Sequence, residues 1–227
     1  MSKDMHTYIL AIGVALCLIA LGSKARMIHL PGNHQDYEPE QPIAFSHRLH
    51  AGEMSIDCLY CHFGAEKSRH AGVPAVSTCM NCHSFVSATL GAVQAEDKLA
   101  TEEGRKPALV ISPELLKIYE TLGIESLEQK AGWRQVFAER ESSAAMESIP
   151  WVKIHNLPDF VYFDHRAHVN VGVACQKCHG NVESMERVRQ VETLARGWCI
   201  NCHRISNELG INAKPVHAST DCTTCHY

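Results

Sequence analysis

Five times in this chain two cysteines stand three positions apart with a histidine directly behind the second. The sets are Cys58/Cys61/His62, Cys79/Cys82/His83, Cys175/Cys178/His179, Cys199/Cys202/His203 and Cys222/Cys225/His226. They use ten of the eleven cysteines. Histidine is 15 of 227 residues, so five hits in five by chance has odds on the order of one in a million, and the c-type haem attachment pattern is the reading that needs them. Two thiols at this spacing can each form a thioether to one porphyrin vinyl group. The histidine behind them is then held under the ring, where its imidazole can bind the iron. Zinc ribbons also pair C-x-x-C motifs, but they have no need of a histidine after every second cysteine. A disulfide framework needs none at all.

Five covalently bound haems constrain the fold more than any propensity does. Aromatic residues make up only 7% of the chain, and roughly forty residues are left to cover each macrocycle. The expected fold class is mainly α with much irregular coil, a multihaem cytochrome c organised around its five haems. The chain without cofactor should be largely unfolded, as small metal-dependent domains are. Formal net charge is −4, which the haem propionates would make more negative. This balance gives no reason to expect nucleic acid as a partner. Attachment of haem c requires export and ligation machinery outside the cytoplasm.

Each iron has two axial positions, and the motif fills one with His62, His83, His179, His203 or His226. The candidates for the second are the free histidines. His47 and His50 lie in FSHRLH, and His165 and His168 in FDHRAH, three apart on one expected helical face. His155 lies in WVKIHNLPDFVYFDH, so apolar a segment that its imidazole should have a partner. His70, His217, Met146 and Met185 remain as alternatives for one site. Bis-histidine iron has no open position for a substrate, so no catalytic site is expected, and such a chain is built to pass electrons.

FSHRLH and FDHRAH also head an internal repeat. The first histidines, the first cysteines of the next motif, and the first cysteines of C-M-N-C-H and C-I-N-C-H are displaced by 118, 117 and 120 positions. With the second histidines of each pair, His50 and His168, four features in one order at nearly one offset indicate a duplicated two-haem unit. The expected modules are therefore a two-haem module over 43–83, a helical insert without haem over 84–150, and a three-haem module over 151–227. In the insert, Ser112-Pro113-Glu114 reads as cap, first helical position and acidic first turn, and Gly123 as the stop. A second helix is expected from Ser126 to about Met146. The insert is either a spacer or a docking surface.

Residues 1–28 read as an N-terminal membrane anchor, one transmembrane helix, followed by a linker over 29–42. Tyr8 to Gly22 is uncharged and apolar, about 22 Å as a helix against a hydrocarbon layer of roughly 30 Å. That length also suits a cleavable signal, but the flank Ser23-Lys24-Ala25-Arg26 offers no small-residue cleavage site. The expected topology is single-pass, with the haem body on the periplasmic side of a bacterial cytoplasmic membrane.

FSHRLHAGEMSIDCLYCH, STCMNCH, IPWVKIHNLPDFVYFDHRAHVNVGVACQKCH, GWCINCHR and the terminal CTTCHY together resemble the pentahaem cytochrome c subunit of bacterial alternative complex III, a quinol:electron-acceptor oxidoreductase. The resemblance covers both haem modules and the anchor, and is loose over 84–149. It implies integral-membrane quinol-binding subunits and an iron–sulfur subunit as partners, with a cytochrome c or an oxidase as acceptor. It also implies ligand pairing. His47 would serve the Cys58/Cys61 haem and His50 the Cys79/Cys82 haem; His165 would serve Cys175/Cys178 and His168 would serve Cys199/Cys202. Two other functions are open to such a chain: a self-sufficient anchored quinol dehydrogenase feeding a periplasmic reductase, and a multihaem enzyme turning over nitrite or hydroxylamine.

Overall fold

The computed structural model describes residues 3–25, 34–124, 132–134 and 148–226. Nine α-helices occur among them: α1 Lys3–Ala25, α2 Cys58–Cys61, α3 Val76–His83, α4 Leu90–Glu103, α5 Pro113–Leu122, α6 His165–Val169, α7 Gln176–His179, α8 Arg196–Leu209 and α9 Cys222–Cys225. Arg48–Glu53 forms a π-helical turn, and Phe63–Glu66 and Val182–Ser184 are 3-10 turns. Among the described residues there is no strand, only isolated bridges at Val161/His226 and Ile211/Lys214. The expected mix of short helices and coil is what forms.

The helix expected at the N-terminus is α1. As a transmembrane span it needs correction: among the described residues no helix is long and apolar enough to cross a membrane. The exposed apolar side chains described in α1 run from Tyr8 to Leu21, about 21 Å of rise, short of the roughly 30 Å layer.

The chain forms two compact units. The larger holds Glu38–Lys153 and Phe163–Val188; the smaller holds Met1–Tyr37, Ile154–Tyr162 and Arg189–Tyr227. Motifs one to three therefore fall in the larger unit, and motifs four and five in the smaller.

The apolar core of the larger unit lies between the insert and the second motif. Ile43, Met80, Ile118, Tyr119, Leu122, Ile124 and Trp133 are buried together. α5 starts and stops as its sequence dictates. The Ser112 hydroxyl accepts from the Leu115 N–H, Pro113 opens the helix, and Gly123 closes it at φ 65°. Its face of Ile118, Tyr119 and Leu122 packs on α3 through Met80. The second insert helix expected from Ser126 lies outside the described residues apart from 132–134. α4, by contrast, has no sequence expectation behind it. Thr89 caps its start and Gly104, at φ 66°, ends it.

In the smaller unit the fully buried Gln190 joins three segments. Its carboxamide oxygen accepts from Asn156 N–H at 3.2 Å and its amide nitrogen donates to Glu192 O at 3.0 Å. Its backbone carbonyl accepts from Asp36 N–H at 2.7 Å.

Candidate haem-binding sites

The three attachment motifs of the larger unit sit on short helices that end at the motif histidine or just before it. In the first, Asp57 caps α2, its carboxylate accepting from Leu59 N–H at 2.7 Å. His62 then follows the helix, with Nδ1 2.7 Å from the Gly72 carbonyl oxygen. A carbonyl oxygen only accepts, so the proton is on Nδ1 and the Nε2 lone pair is free for a metal. Gly64 makes this contact possible. A Cβ there would lie 2.7 Å from the Ala71 carbonyl oxygen, so the 70–72 segment could not come so close.

The second motif fills α3. Its intervening Met80 is wholly buried, the Tyr119 hydroxyl donates to His83 O at 2.7 Å, and His83 Nδ1 donates to Val86 O at 2.9 Å. The third motif is on α7. Cys175 stands just ahead of the helix, Cys178 lies within it, and His179 ends it. The Cys178 N–H donates to the Cys175 carbonyl at 3.2 Å, a tight turn between the two cysteines.

FSHRLH and FDHRAH repeat in three dimensions as they do in sequence. Phe45 stands edge-on to His47 (4.8 Å between ring centres, 84°) and stacks on His50 (4.3 Å, 24°). Phe163 does the same to His165 (4.9 Å, 86°) and His168 (4.6 Å, 28°). The second histidine of each turn donates Nδ1–H to the carbonyl four residues back: His50 to Ser46 O at 2.8 Å, His168 to Asp164 O at 2.9 Å. The first histidines differ. His165 donates to Arg69 O at 2.8 Å, while the buried Nδ1 of His47 has no partner. Burial, and then the neighbouring His62 and His50 rings, lower the His47 pKa to about 4, so its imidazole is neutral at neutral pH, as a ligand must be.

Two of these histidines lie beside motif histidines. His50 and His83 have ring centres 6.1 Å apart, with planes at 61°. His165 and His179 are 6.4 Å apart and nearly parallel, at 8°. With metal–imidazole bonds of about 2.0 Å, two imidazoles on opposite sides of one ion have ring centres about 6.2 Å apart. The spacing of these rings therefore matches that of two histidines on one iron at the second and third sites. At the first, His62 lies within electrostatic reach of His47.

None of the ten motif cysteines is tied up in a disulfide, as thioether formation requires. In four motifs one cysteine is exposed and the other half-buried: Cys58 with Cys61, Cys82 with Cys79, Cys175 with Cys178, and Cys222 with Cys225. The fourth departs from this pattern, since Cys199 and Cys202 are both half-buried. Thiols of different motifs lie side by side. Burial and the Cys175 thiol, with which Cys58 hydrogen-bonds, push the Cys58 thiol up. Burial, then Cys82, raises Cys61; burial, then Cys61, raises Cys79. The first site thus adjoins both the third and the second.

In the smaller unit α8 carries the fourth motif and α9 the fifth. Cys199 and Cys202 lie a turn apart on α8, and Cys202 Sγ is 4.0 Å from the Ser206 hydroxyl in the next turn. The Asn207 side chain clasps Ala218 from both sides, donating to its carbonyl at 2.8 Å and accepting from its N–H at 2.6 Å. That clasp brings the Ser219 carbonyl to His203 Nδ1, at 2.5 Å. α9 is capped by Asp221, and Tyr162 N–H donates to Cys225 O at 2.8 Å. Phe160 lies 5.6 Å from the His226 ring. Burial, then Cys225 and to a lesser degree Cys202, raises the Cys199 thiol.

The remaining candidates are placed as follows. His155 is half-buried in the smaller unit, with motifs four and five. His168 belongs to the larger unit and His203 to the smaller. His70 and His217 are exposed. Met185 is half-buried and its carbonyl accepts from Arg48 N–H at 2.9 Å. Met146 lies outside the described residues. Sequence reasoning missed the partners of the ring nitrogens, because Ser46, Arg69, Gly72, Val86, Asp164 and Ser219 all act through backbone carbonyls.

Residues 161–227 match the family model described as cytochrome c7 and related cytochrome c. This stretch is cytochrome c7-like. It contains FDHRAH and the third, fourth and fifth motifs. Over 209 residues the chain is also 24% identical to the multihaem cytochrome c subunit of a menaquinone reductase from Nitratidesulfovibrio vulgaris, covering 83% of this chain and 78% of that one.

Proposed function

We propose that this chain is a pentahaem cytochrome c that carries electrons within a membrane complex working on a quinone pool. The single observation behind the proposal is the pairing of imidazoles, with ring centres 6.1 and 6.4 Å apart, beside attachment motifs that occur five times. Haem c bound here would supply one-electron redox chemistry. The ten motif cysteines would attach five haems and the five motif histidines would bind their irons. His47, His50, His165, His168 and His155 would close the opposite faces. The protein's own part is to fix imidazoles such as those of His50, His62, His83, His165, His168 and His203 by Nδ1–H and to keep water from the axial positions. No open coordination position is left for a substrate.

The likeness to a menaquinone reductase subunit supports a quinone-linked complex with integral-membrane subunits. Within that reading the finer assignment is the cytochrome subunit of alternative complex III, with an iron–sulfur partner and a cytochrome c or an oxidase as acceptor. The relative's name favours a second direction of flow, towards menaquinone. The haem body would lie on the periplasmic side of the membrane that holds the complex. The side chains of α1 from Tyr8 to Leu21 are exposed and apolar on every face, which suits contact with lipid or with membrane subunits of the complex.

The test is the complex purified in mild detergent. Stoichiometric polytopic and iron–sulfur subunits, with haem reduction by menaquinol and a soluble cytochrome or oxidase as acceptor, are expected. Haem oxidation by menaquinone instead would select the second direction. A chain that purifies without polytopic subunits and exchanges no electrons with either quinone form would overturn the proposal.

A further inference from the structure

His47 differs from its counterparts in one atom's surroundings. Of the four histidines in FSHRLH and FDHRAH, three donate Nδ1–H to a carbonyl: His50, His165 and His168. His47 Nδ1 is buried and meets no acceptor. An imidazole whose Nδ1–H is held by an acceptor is a more basic ligand, because the partial loss of that proton pushes charge onto Nε2. A more basic ligand stabilises ferric over ferrous iron and lowers the potential; outer hydrogen bonds and burial are two of the protein's levers on a haem. Both levers act in one direction at His47. The missing acceptor leaves the ligand less basic, and the low-dielectric surroundings disfavour the extra positive charge of the oxidised form.

Position gives this difference a use. The first site is the one whose thiols touch the territory of both others, Cys58 beside Cys175 and Cys61 beside Cys82 and Cys79. On the reading of the motifs as bis-histidine haem sites, we infer that the first site, His62 with His47, stands at a higher reduction potential than the second and third, and so is where an electron settles in the larger unit. His47 is then a tuning ligand as well as a closing one, and its bare Nδ1 is the device.

The experiment is an EPR-monitored redox titration of the full chain in its native complex. Three variants, His47→Met, His50→Met and His165→Met, identify which bis-histidine ferric signal belongs to which site. The wild-type signal that His47→Met removes should be the first of the three to vanish on reduction. If it vanishes after either of the others, the inference is wrong. If no variant removes a low-spin signal, the bis-histidine reading itself has failed, which is a different outcome. A second measurement avoids dependence on methionine ligation. His47→Gly and His165→Gly are each loaded with imidazole and then with 1-methylimidazole, which lacks the second N–H. The methyl group should raise the potential of the His165→Gly site and leave that of the His47→Gly site unchanged. Equal upward shifts at both would show that His47 has an acceptor after all and would overturn the inference.

Discussion

The second attachment site and its neighbours are built on different foundations. α3 rests on an apolar core: Met80 is 0% exposed, Leu122 1% and Tyr119 2%, and the α5 tyrosine reaches over to hold His83 by its carbonyl. The first and third attachment helices, α2 and α7, have no buried residue at all, and neither does α8 or α9 in the smaller unit. Two of their histidines, His62 and His203, are held by hydrogen bonds to the loop carbonyls of Gly72 and Ser219. The insert thus supplies one site with a protein core, a third role beside the spacer and docking surface expected for it. The other sites have nothing apolar of their own to fold against, and this is what a chain that folds around porphyrins should look like.

The sharpest way to break this contrast is to withhold haem. A chain made without haem ligation should lose amide protection throughout α2, α6, α7, α8 and α9, while α3 and α5 keep the most. Hydrogen exchange reads this directly, and uniform protection across all motifs would contradict it. Leu122→Ala attacks the other side. A Leu to Ala change at a buried position costs about 2–5 kcal/mol, and it should lower the melting temperature and broaden the second site's spectrum more than any other site's. Gly64→Ala acts only on the first site. The added methyl pushes the 70–72 segment away and takes Gly72 O from His62, so the first haem's potential should rise with no change at the second. Tyr119→Phe removes one hydrogen bond, about 1 kcal/mol, and should give a small loss in Tm with the His83 resonance shifted. The smallest effect lies at the far end of the insert. Hydrogen bonds from Arg105 and then from Ala108 N–H lower the Glu96 carboxyl to about 2. A depressed carboxylate stabilises above its ordinary pKa and loses that contribution as pH falls towards 2. Exchange at the Ala108 amide should therefore be protected at pH 5 and faster at pH 2 than its neighbours in α4, with no change at any haem.

The sites were far more legible in the sequence than the fold that carries them. Cys, Cys and His at fixed spacing mark an attachment site because the chemistry demands those side chains in that order. The pairs His47/His62, His50/His83 and His165/His179, which the resemblance implied, lie beside each other in the structure. α5 could be read from Ser112 to Gly123 because caps are local. α4 could have been read the same way, from Thr89 and Gly104, but its polar, weakly periodic sequence hid it. The missing acceptor at His47 had no sequence signal. FSHRLH and FDHRAH are nearly the same word, and what separates them is the carbonyl of Arg69, twenty-two residues beyond one histidine and ninety-six before the other.

The central claim is that ten thiols and ten imidazoles enclose five irons completely. The pyridine haemochrome of the purified chain, read beside its EPR spectrum, tests it most directly. Five haem c per chain, all low-spin and none binding carbon monoxide when reduced, is the expected result. Fewer than five, or a high-spin iron that takes carbon monoxide, would contradict it.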